Sequence, residues 1–185
     1  MRAVRNLILF VLIGFIAFIL LGWYSGFFHR TKVGMETIGP YYAIYKTHIG
    51  DYNHSRQLQD SIRDVLWELG IENYKTFGIF FDDPAKTDYD SMRSFIGRLI
   101  PNDQLSKTDR LPPGYQLYTF KQQNAALVSL PYVNQFSLYA GIYRAYPCIR
   151  DFAKAQGYAA SPIIEIHDPD IDLRFILPIK KISSK

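Results

Sequence analysis

The feature that most restricts this 185-residue chain is a stretch near its start that carries no charge. Leu7 to Phe28 reads LILFVLIGFIAFILLGWYSGFF, 22 positions without a charged residue. As a helix rising ~1.5 Å per residue it extends roughly 33 Å, enough for the hydrocarbon core of a bilayer. Trp23 and Tyr24 fall near its C-terminal end, where amphipathic rings favour the membrane interface. A cleavable signal peptide would have an apolar core of about 7–15 residues followed by small residues. This run is longer, and Gly22-Trp23-Tyr24-Ser25-Gly26 is a poor cleavage context. A buried core helix is the third option. The expectation is a single-pass anchor, with the lipid bilayer as partner through Leu7 to Phe28. Arg2 and Arg5 precede the span and Arg30 and Lys32 follow it, so the count of flanking cations ties. The free amine tips the balance weakly toward an N-terminus inside and a C-terminal domain outside the cytoplasm.

The expected layout is a basic N-terminus over 1–6, the span over 7–28 and a polar juxtamembrane link, HRTKVGMETIG, over 29–39. A folded domain over 40–180 and a polar tail over 181–185 follow. The composition, 48% hydrophobic and 21% charged, fits a packed core and excludes disorder over most of the chain. A single cysteine, Cys148, excludes an intramolecular disulfide and a Cys-rich zinc module. The net charge of +4 comes without a basic run, so no nucleic-acid partner is expected. His29, His48, His54 and His167 are scattered outside any ligand pattern, and no metal site is expected. No Gly-rich phosphate loop is present, so no cofactor is expected. No residue stands out as catalytic.

Within the domain, PYYAIYKTH (40–48) is aromatic and β-branched and reads as a strand ended by Gly50. Asn53 or Ser55 then caps a helix to Leu69, whose apolar positions Leu58, Ile62, Val65, Leu66 and Leu69 share one face. Strands follow at Tyr74–Phe81, ended by Asp82-Asp83-Pro84, and at Arg93–Ile100. The order then recurs. A connecting strand, Tyr115–Lys121, leads into Ala125–Leu130, and a helix starts near Asn134 with Phe136, Tyr139, Ala140 and Tyr143 on one face. Pro147 is expected to kink or divide it. Strands at Ile163–His167 and Leu173–Leu177 close the unit. GIFFDDP (78–84) aligns with IIEIHDP (163–169) at a separation of 85 residues. The fold class is therefore α+β: a tandem β-α-β-β repeat with pseudo-twofold symmetry, helices on one side of antiparallel sheets, preceded by one transmembrane helix.

One residue breaks the repeat. Phe80 of the first copy corresponds to Glu165 of the second, inside an otherwise apolar strand. Alternation puts Ile163, Glu165 and His167 on one face. A lone carboxylate there is costly unless paired or neutralised. It is either structural, paired to Arg144 or Arg174 or on a solvent-facing sheet surface, or it meets a ligand. Tyr41, Tyr42, Tyr45, Tyr118, Tyr139 and Tyr143 lie on elements expected to border a groove between the two repeats. A carboxylate among aromatic faces is chemistry suited to an organic cation. The candidate ligand-binding set is Glu165, Tyr45, Tyr118, Tyr139, Tyr143 and His167, and the expected partner is a small organic ligand, cationic among the options. Trp67 lies opposite the apolar stripe of its helix, either packed at a rim by a loop or in contact with the membrane or a protein partner of unknown identity.

With IIEIHD and the closing LRFILPI in this order, the soluble part resembles the GyrI-like small-molecule-binding domain. That resemblance implies a tandem β-α-β-β fold and a central ligand-contacting glutamate, here Glu165. It leaves open three functions: binding, hydrolysis with Glu165 as general base, and partner recruitment with a vestigial pocket. Where the family usually has tyrosine two positions on, this chain has His167. The layout of span plus domain, with YSGFF, YAIYKTHIGDY, FFDDP and SPIIEIHD, also resembles that of the testis-expressed reticulophagy receptors of animals. Those receptors carry an adaptor-binding tail. The chain ends at Lys185, so a self-sufficient autophagy receptor is not expected. No helix-turn-helix precedes the domain, so a DNA-binding regulator is not expected either.

Overall fold

Two short connections set the shape of the sheet. In the computed structural model, which describes residues 2–28, 30–72, 75–83, 86–159 and 161–180, eight antiparallel strands form one sheet in the order β1-β6-β8-β7-β3-β4-β2-β5. β1 (Gly34–Ile38) and β2 (Tyr41–Ile49) lie six strand positions apart, yet only Gly39 and Pro40 join them. In a flat sheet that separation is about 29 Å, far beyond the reach of two residues. Likewise Lys121 and Gln122 alone join β5 (Gln116–Phe120) on one edge to β6 (Gln123–Pro131) near the other. The sheet therefore curls until its ends approach. At the closing point Gly39 has φ +85°, and a Cβ there would meet the Phe120 carbonyl at 3.2 Å, so glycine is required twice over. The helix-free face inside the curl is filled from every strand: Ile38, Leu127 and Ile176 from one end, Ala43, Leu99 and Phe120 from the other, and Phe77, Ile79, Ile164 and Ile166 between them.

The helices cover the opposite face. α2 (Ser55–Glu68) packs Ile62 and Leu66 on β2 and β4 (Arg93–Ile100). α3 (Gln135–Ala155) packs on β6 and β8 (Asp172–Pro178), starting from a capping box of Asn134 and Ser137. β3 (Thr76–Phe80) and β7 (Ile163–His167) pair in the middle of the sheet, across the pseudo-twofold axis. The α+β tandem repeat read from the sequence is the fold observed. Each unit has one strand beyond its β-α-β-β core, β1 in the first, which was not expected, and the expected connecting strand β5 in the second. The two are exchanged: β1 precedes β2 but pairs with β6, and β5 precedes β6 but pairs with β2.

Several local expectations are corrected. The 29–39 stretch is more than a polar link, because it contains β1. GMETI has four exposed residues and becomes a strand only by pairing with β6. Asp51, rather than Asn53 or Ser55, supplies the side-chain cap, opening a 3-10 turn at Tyr52–His54 that runs into α2. Pro147 neither ends nor divides α3, which is continuous because Ala145 and Ile149 on either side are fully buried. Phe136, Tyr139 and Tyr143 are exposed. The buried face of α3 is Ser137, Ala140, Gly141, Ala145, Ile149 and Ala153. α1 (Arg2–Tyr24) is long and apolar enough to cross a membrane, and none of its residues is buried, which removes the core-helix option. His29, Tyr74, Pro84 and the 181–185 tail lie outside the described residues.

Candidate functional site: the cleft between the two helices

Because α2 sits on β2 and β4 while α3 sits on β6 and β8, the central β3–β7 pair is left between them. Glu165 is at the middle of this floor, directly opposite Gly78 of β3 on one side and Phe175 of β8 on the other. Ladder partners share a face, so Ile163, Glu165 and His167 point to the helix side, as alternation requires. A Cβ at position 78 would sit 2.9 Å from the Phe80 ring, so Gly78 makes room for that ring beside the carboxylate. Tyr52 meets Phe80 edge-on at 4.8 Å. From α3, the Tyr146 hydroxyl donates to Glu165 Oε1 at 2.5 Å. Tyr132 packs on His167 at 4.1 Å between ring centres. Glu165 and all of these aromatic side chains are half-buried, so the floor keeps contact with solvent although protein surrounds it densely.

The electrostatics follow from that placement. Among the described residues no cation pairs with Glu165. Burial pushes its pKa up to about 7, and the Tyr146 hydrogen bond pulls it back only in part. The Tyr146 hydroxyl is driven far above its ordinary value, first by burial and then by the adjacent carboxylate, so it remains a donor. Burial lowers the pKa of His167, which is a neutral imidazole near pH 7. Its Nε2 is buried without a partner, as is Oε1 of Gln59, whose Nε2 donates to the Phe77 carbonyl. A buried polar atom left unpaired costs roughly 1–3 kcal/mol. The cleft thus offers a carboxylate with a raised pKa and aromatic walls.

The two arginines considered as salt-bridge partners are committed elsewhere. Arg144 Nη1 donates to the carbonyl of Phe27 at 2.5 Å, and Arg174 pairs with Asp172 at 3.0 Å. Of the six residues singled out from the sequence, the structure brings together Glu165 and His167. Tyr45 and Tyr118 lie on the opposite, helix-free side of the sheet: their rings meet edge-on at 6.1 Å and Tyr118 packs on Phe77. Strand parity decides this, since Ile44 takes the helix-side position and its neighbour Tyr45 must face away. Tyr139 and Tyr143 are 67% and 73% exposed on the outer surface of α3. The residues that line the cleft in their place, Tyr52, Phe80, Tyr132 and Tyr146, were not singled out. The signal for Tyr146 was the run of small residues that marks the packed side of α3. Among the described residues no cluster of three or more His, Cys, Asp or Glu is arranged to hold a metal.

The sequence pattern of the GyrI-like small molecule binding domain matches residues 31–176. The chain belongs to the GyrI-like family. It is 23% identical over 186 residues to human testis-expressed protein 264, covering 96% of this chain and 56% of that one, and 23% identical over 166 residues to the mouse homologue. The chain therefore spans about half the length of the curated relatives it matches. The EcmrR C-terminal domain superposes with a TM-score of 0.56 at 12% identity, covering 82% of this chain and 99% of that one, which shows a shared fold.

Proposed function

We propose that this GyrI-like protein is a membrane-anchored binding module whose cleft takes a small organic cation on Glu165. The observation that carries this reading is a central carboxylate, reachable from solvent, with no cation among the described residues paired to it and aromatic side chains on both flanks. A ligand cation would keep Glu165 ionised, and Tyr52, Phe80 and Tyr132 supply aromatic rings for cation–π contact, the Tyr146 ring being already covered by Arg150 at 5.5 Å. α1 provides the span, leaving the domain at the membrane surface.

The test uses the full chain in lipid nanodiscs, with empty discs as control. Binding of a cationic dye is followed by fluorescence anisotropy beside an anionic dye of similar size. Glu165→Gln should weaken the cationic dye at pH 8 by about 5- to 150-fold, the scale of a charge-assisted contact, and leave the anionic dye unaffected. Wild-type affinity for the cation should also fall as pH drops through about 7. Equal binding by wild type and Glu165→Gln would end this reading. The span is tested separately, by retention of the chain in vesicles at alkaline pH.

One observation favours a second reading. A carboxylate with a pKa of about 7 is poised to act as a general base near neutrality, with Tyr146 as a neighbouring donor. Turnover of an activated ester that is lost in Glu165→Gln would support hydrolysis. Dye binding without turnover supports the binding module.

A further inference from the structure

The end of α1 is fastened to α3. Ser25, which is buried, accepts a hydrogen bond from the side-chain amide of Asn134, the N-cap of α3, at 3.1 Å. Arg144 donates to the carbonyls of Gly26 and Phe27. The Phe27 and Tyr143 rings stack at 6.2 Å. The first turns of α3 therefore lie beside the exit of the apolar helix, next to Trp23, Tyr24, Phe27 and Phe28, all exposed. On those same turns Phe136, Tyr139 and Tyr143 follow at spacings of three and four, one stripe on the helix surface. They are 60%, 67% and 73% exposed, on the side away from the sheet. Beside the stripe is a hollow of about 620 Å³ lined by Arg30, Lys32 and Arg144 together with Thr31, Tyr143, Pro147 and Cys148, with no acidic residue.

We propose that this face of α3 docks onto the bilayer surface beside the span, with the aromatic stripe at the level of the headgroups and the basic hollow receiving the phosphate of an anionic lipid. The inference rests on the proposed membrane span and adds a second attachment to it. A single helix followed by a loose linker would leave the domain free to turn. Here the helix end is bound to α3, and Phe27, at the end of the apolar run, is already stacked on Tyr143. That contact holds the stripe at interface depth. Amphipathic aromatic rings are favoured there over open water. Arg30 and Lys32 are exposed, and basic side chains close to a membrane surface are attracted by anionic lipids. The cleft with Glu165 lies between the helices, so docking would also fix how that cleft is presented to the membrane.

The experiment uses the full chain in phosphatidylcholine vesicles with bromine-labelled acyl chains, with and without phosphatidylserine. An environment-sensitive dye is placed at Tyr139→Cys in a Cys148→Ser background and, for comparison, at Asp103→Cys in the remote 3-10 segment Asn102–Arg110. The Tyr139 probe should be quenched at least about twofold more than the Asp103 probe, as expected of a side chain at the acyl boundary. Phosphatidylserine should increase the difference, and Arg30→Glu with Lys32→Glu should remove that increase, at about fivefold in partitioning per cation. Retention at alkaline pH with equal quenching of the two probes overturns docking and leaves the span. Release at alkaline pH overturns both. Indifference to phosphatidylserine overturns the headgroup assignment of the hollow. Shielding that tracks protein density instead of lipid composition would assign the stripe to a second copy of the chain and overturn the proposal.

Discussion

In the first half of the molecule α2 meets the sheet through Ile62 and Leu66, both fully buried. In the second, α3 meets it mainly through small residues, Ser137, Ala140, Gly141, Ala145 and Ala153, with Ile149 its one large buried side chain. The central strands differ in the same way. β3 turns Gly78 and Phe80 toward the helices, and β7 turns Glu165 and His167. The outer faces reverse the pattern: α2 shows the exposed Asp60–Arg63–Asp64 ion pairs and Trp67, at 71% exposure, while α3 shows Phe136, Tyr139 and Tyr143. Small residues bring α3 close to the strands. A Cβ at Gly141 would already be 3.1 Å from Phe175, the ladder partner of Glu165. That closeness lets Tyr146 reach the carboxylate. One unit of the duplication is packed for stability, and the other trades bulk for a polar contact at the axis.

The difference is broken most strongly at Ile62. It is 0% exposed, and Ile62→Ala leaves a cavity under α2 that the curled sheet has little freedom to fill. The expected loss is about 2–5 kcal/mol in urea unfolding. No small residue on the packed face of α3 can produce a loss of that kind by truncation. A cost below about 1 kcal/mol would mean that α2 is not the better-packed half.

How much of this was legible in the sequence depended on what each segment relies on. The strands with strong local patterns, such as YYAIYKTHI and IIEIH, were legible as strands, and the faces of IIEIH were legible too; those of YYAIYKTHI were not, since Tyr45 faces away from the helices. β1 was not, because GMETI has no periodic apolar signal and exists by virtue of β6 and the curl of the sheet. The 3-10 segment Asn102–Arg110 was missed for the same reason: none of its residues is buried. Glu165 stood out because a carboxylate in an apolar strand is locally anomalous. Its neighbours did not, since which tyrosines converge on it depends on strand parity across the sheet and on how closely α3 approaches. Large aromatic residues suggested the packed side of α3, where small ones and Ile149 in fact form it.

The polar residue at the axis gives the next largest effect, with the opposite sign. The pKa of Glu165 is raised to about 7 from 4.5. The folded state therefore holds a proton more tightly than the unfolded one between those values. The stabilisation is complete below about pH 4.5 and is lost as pH rises through about 7. Glu165→Gln keeps the shape and cannot ionise. It should be more stable than wild type at pH 8 by up to about 3 kcal/mol and nearly equal at pH 4, with a flatter stability profile between. Urea unfolding at several pH values measures this. A Gln variant less stable than wild type at pH 8 would mean that Glu165 answers a buried cation, and the contrast between β3 and β7 would lose its meaning.

Gly141→Ala sharpens the comparison from the helix side. The added methyl meets Phe175 ring atoms at 3.1 Å and Leu173 Cδ1 at 3.3 Å, and both side chains are 1% exposed with little room to move. Overpacking of this size costs about 1–3 kcal/mol, offset by about 0.8–1.0 kcal/mol of helix propensity. The expected net loss is about 1 kcal/mol, together with weaker dye binding as α3 is pushed away from Glu165. A gain in stability with unchanged binding would show that close approach of α3 is not what the small residues provide.

The smallest change, Tyr146→Phe, removes one oxygen and tests whether the polar contact at the axis is coupled to the carboxylate. Tyr146 contributes the hydrogen bond that lowers the Glu165 pKa against the larger upward push of burial. Without it the upward push is unopposed, so the titration should move above about 7 by on the order of one pH unit. At pH 5 Glu165 is mostly protonated in the fold, and the variant should lose only about 1 kcal/mol, one ordinary hydrogen bond. The informative readout is the pH at which the fall in stability, which begins near 4.5 in wild type and Tyr146→Phe alike, levels off. It should shift upward in Tyr146→Phe and vanish in the double variant with Glu165→Gln, because the hydroxyl then has no titrating partner. Phe80→Leu, the matching change in the first half, alters packing near the same carboxylate and donates nothing. It should change stability without the same upward shift. If Tyr146→Phe and Phe80→Leu have the same pH profile as wild type, the carboxylate is governed by burial alone, and the small-residue face of α3 has a packing role only.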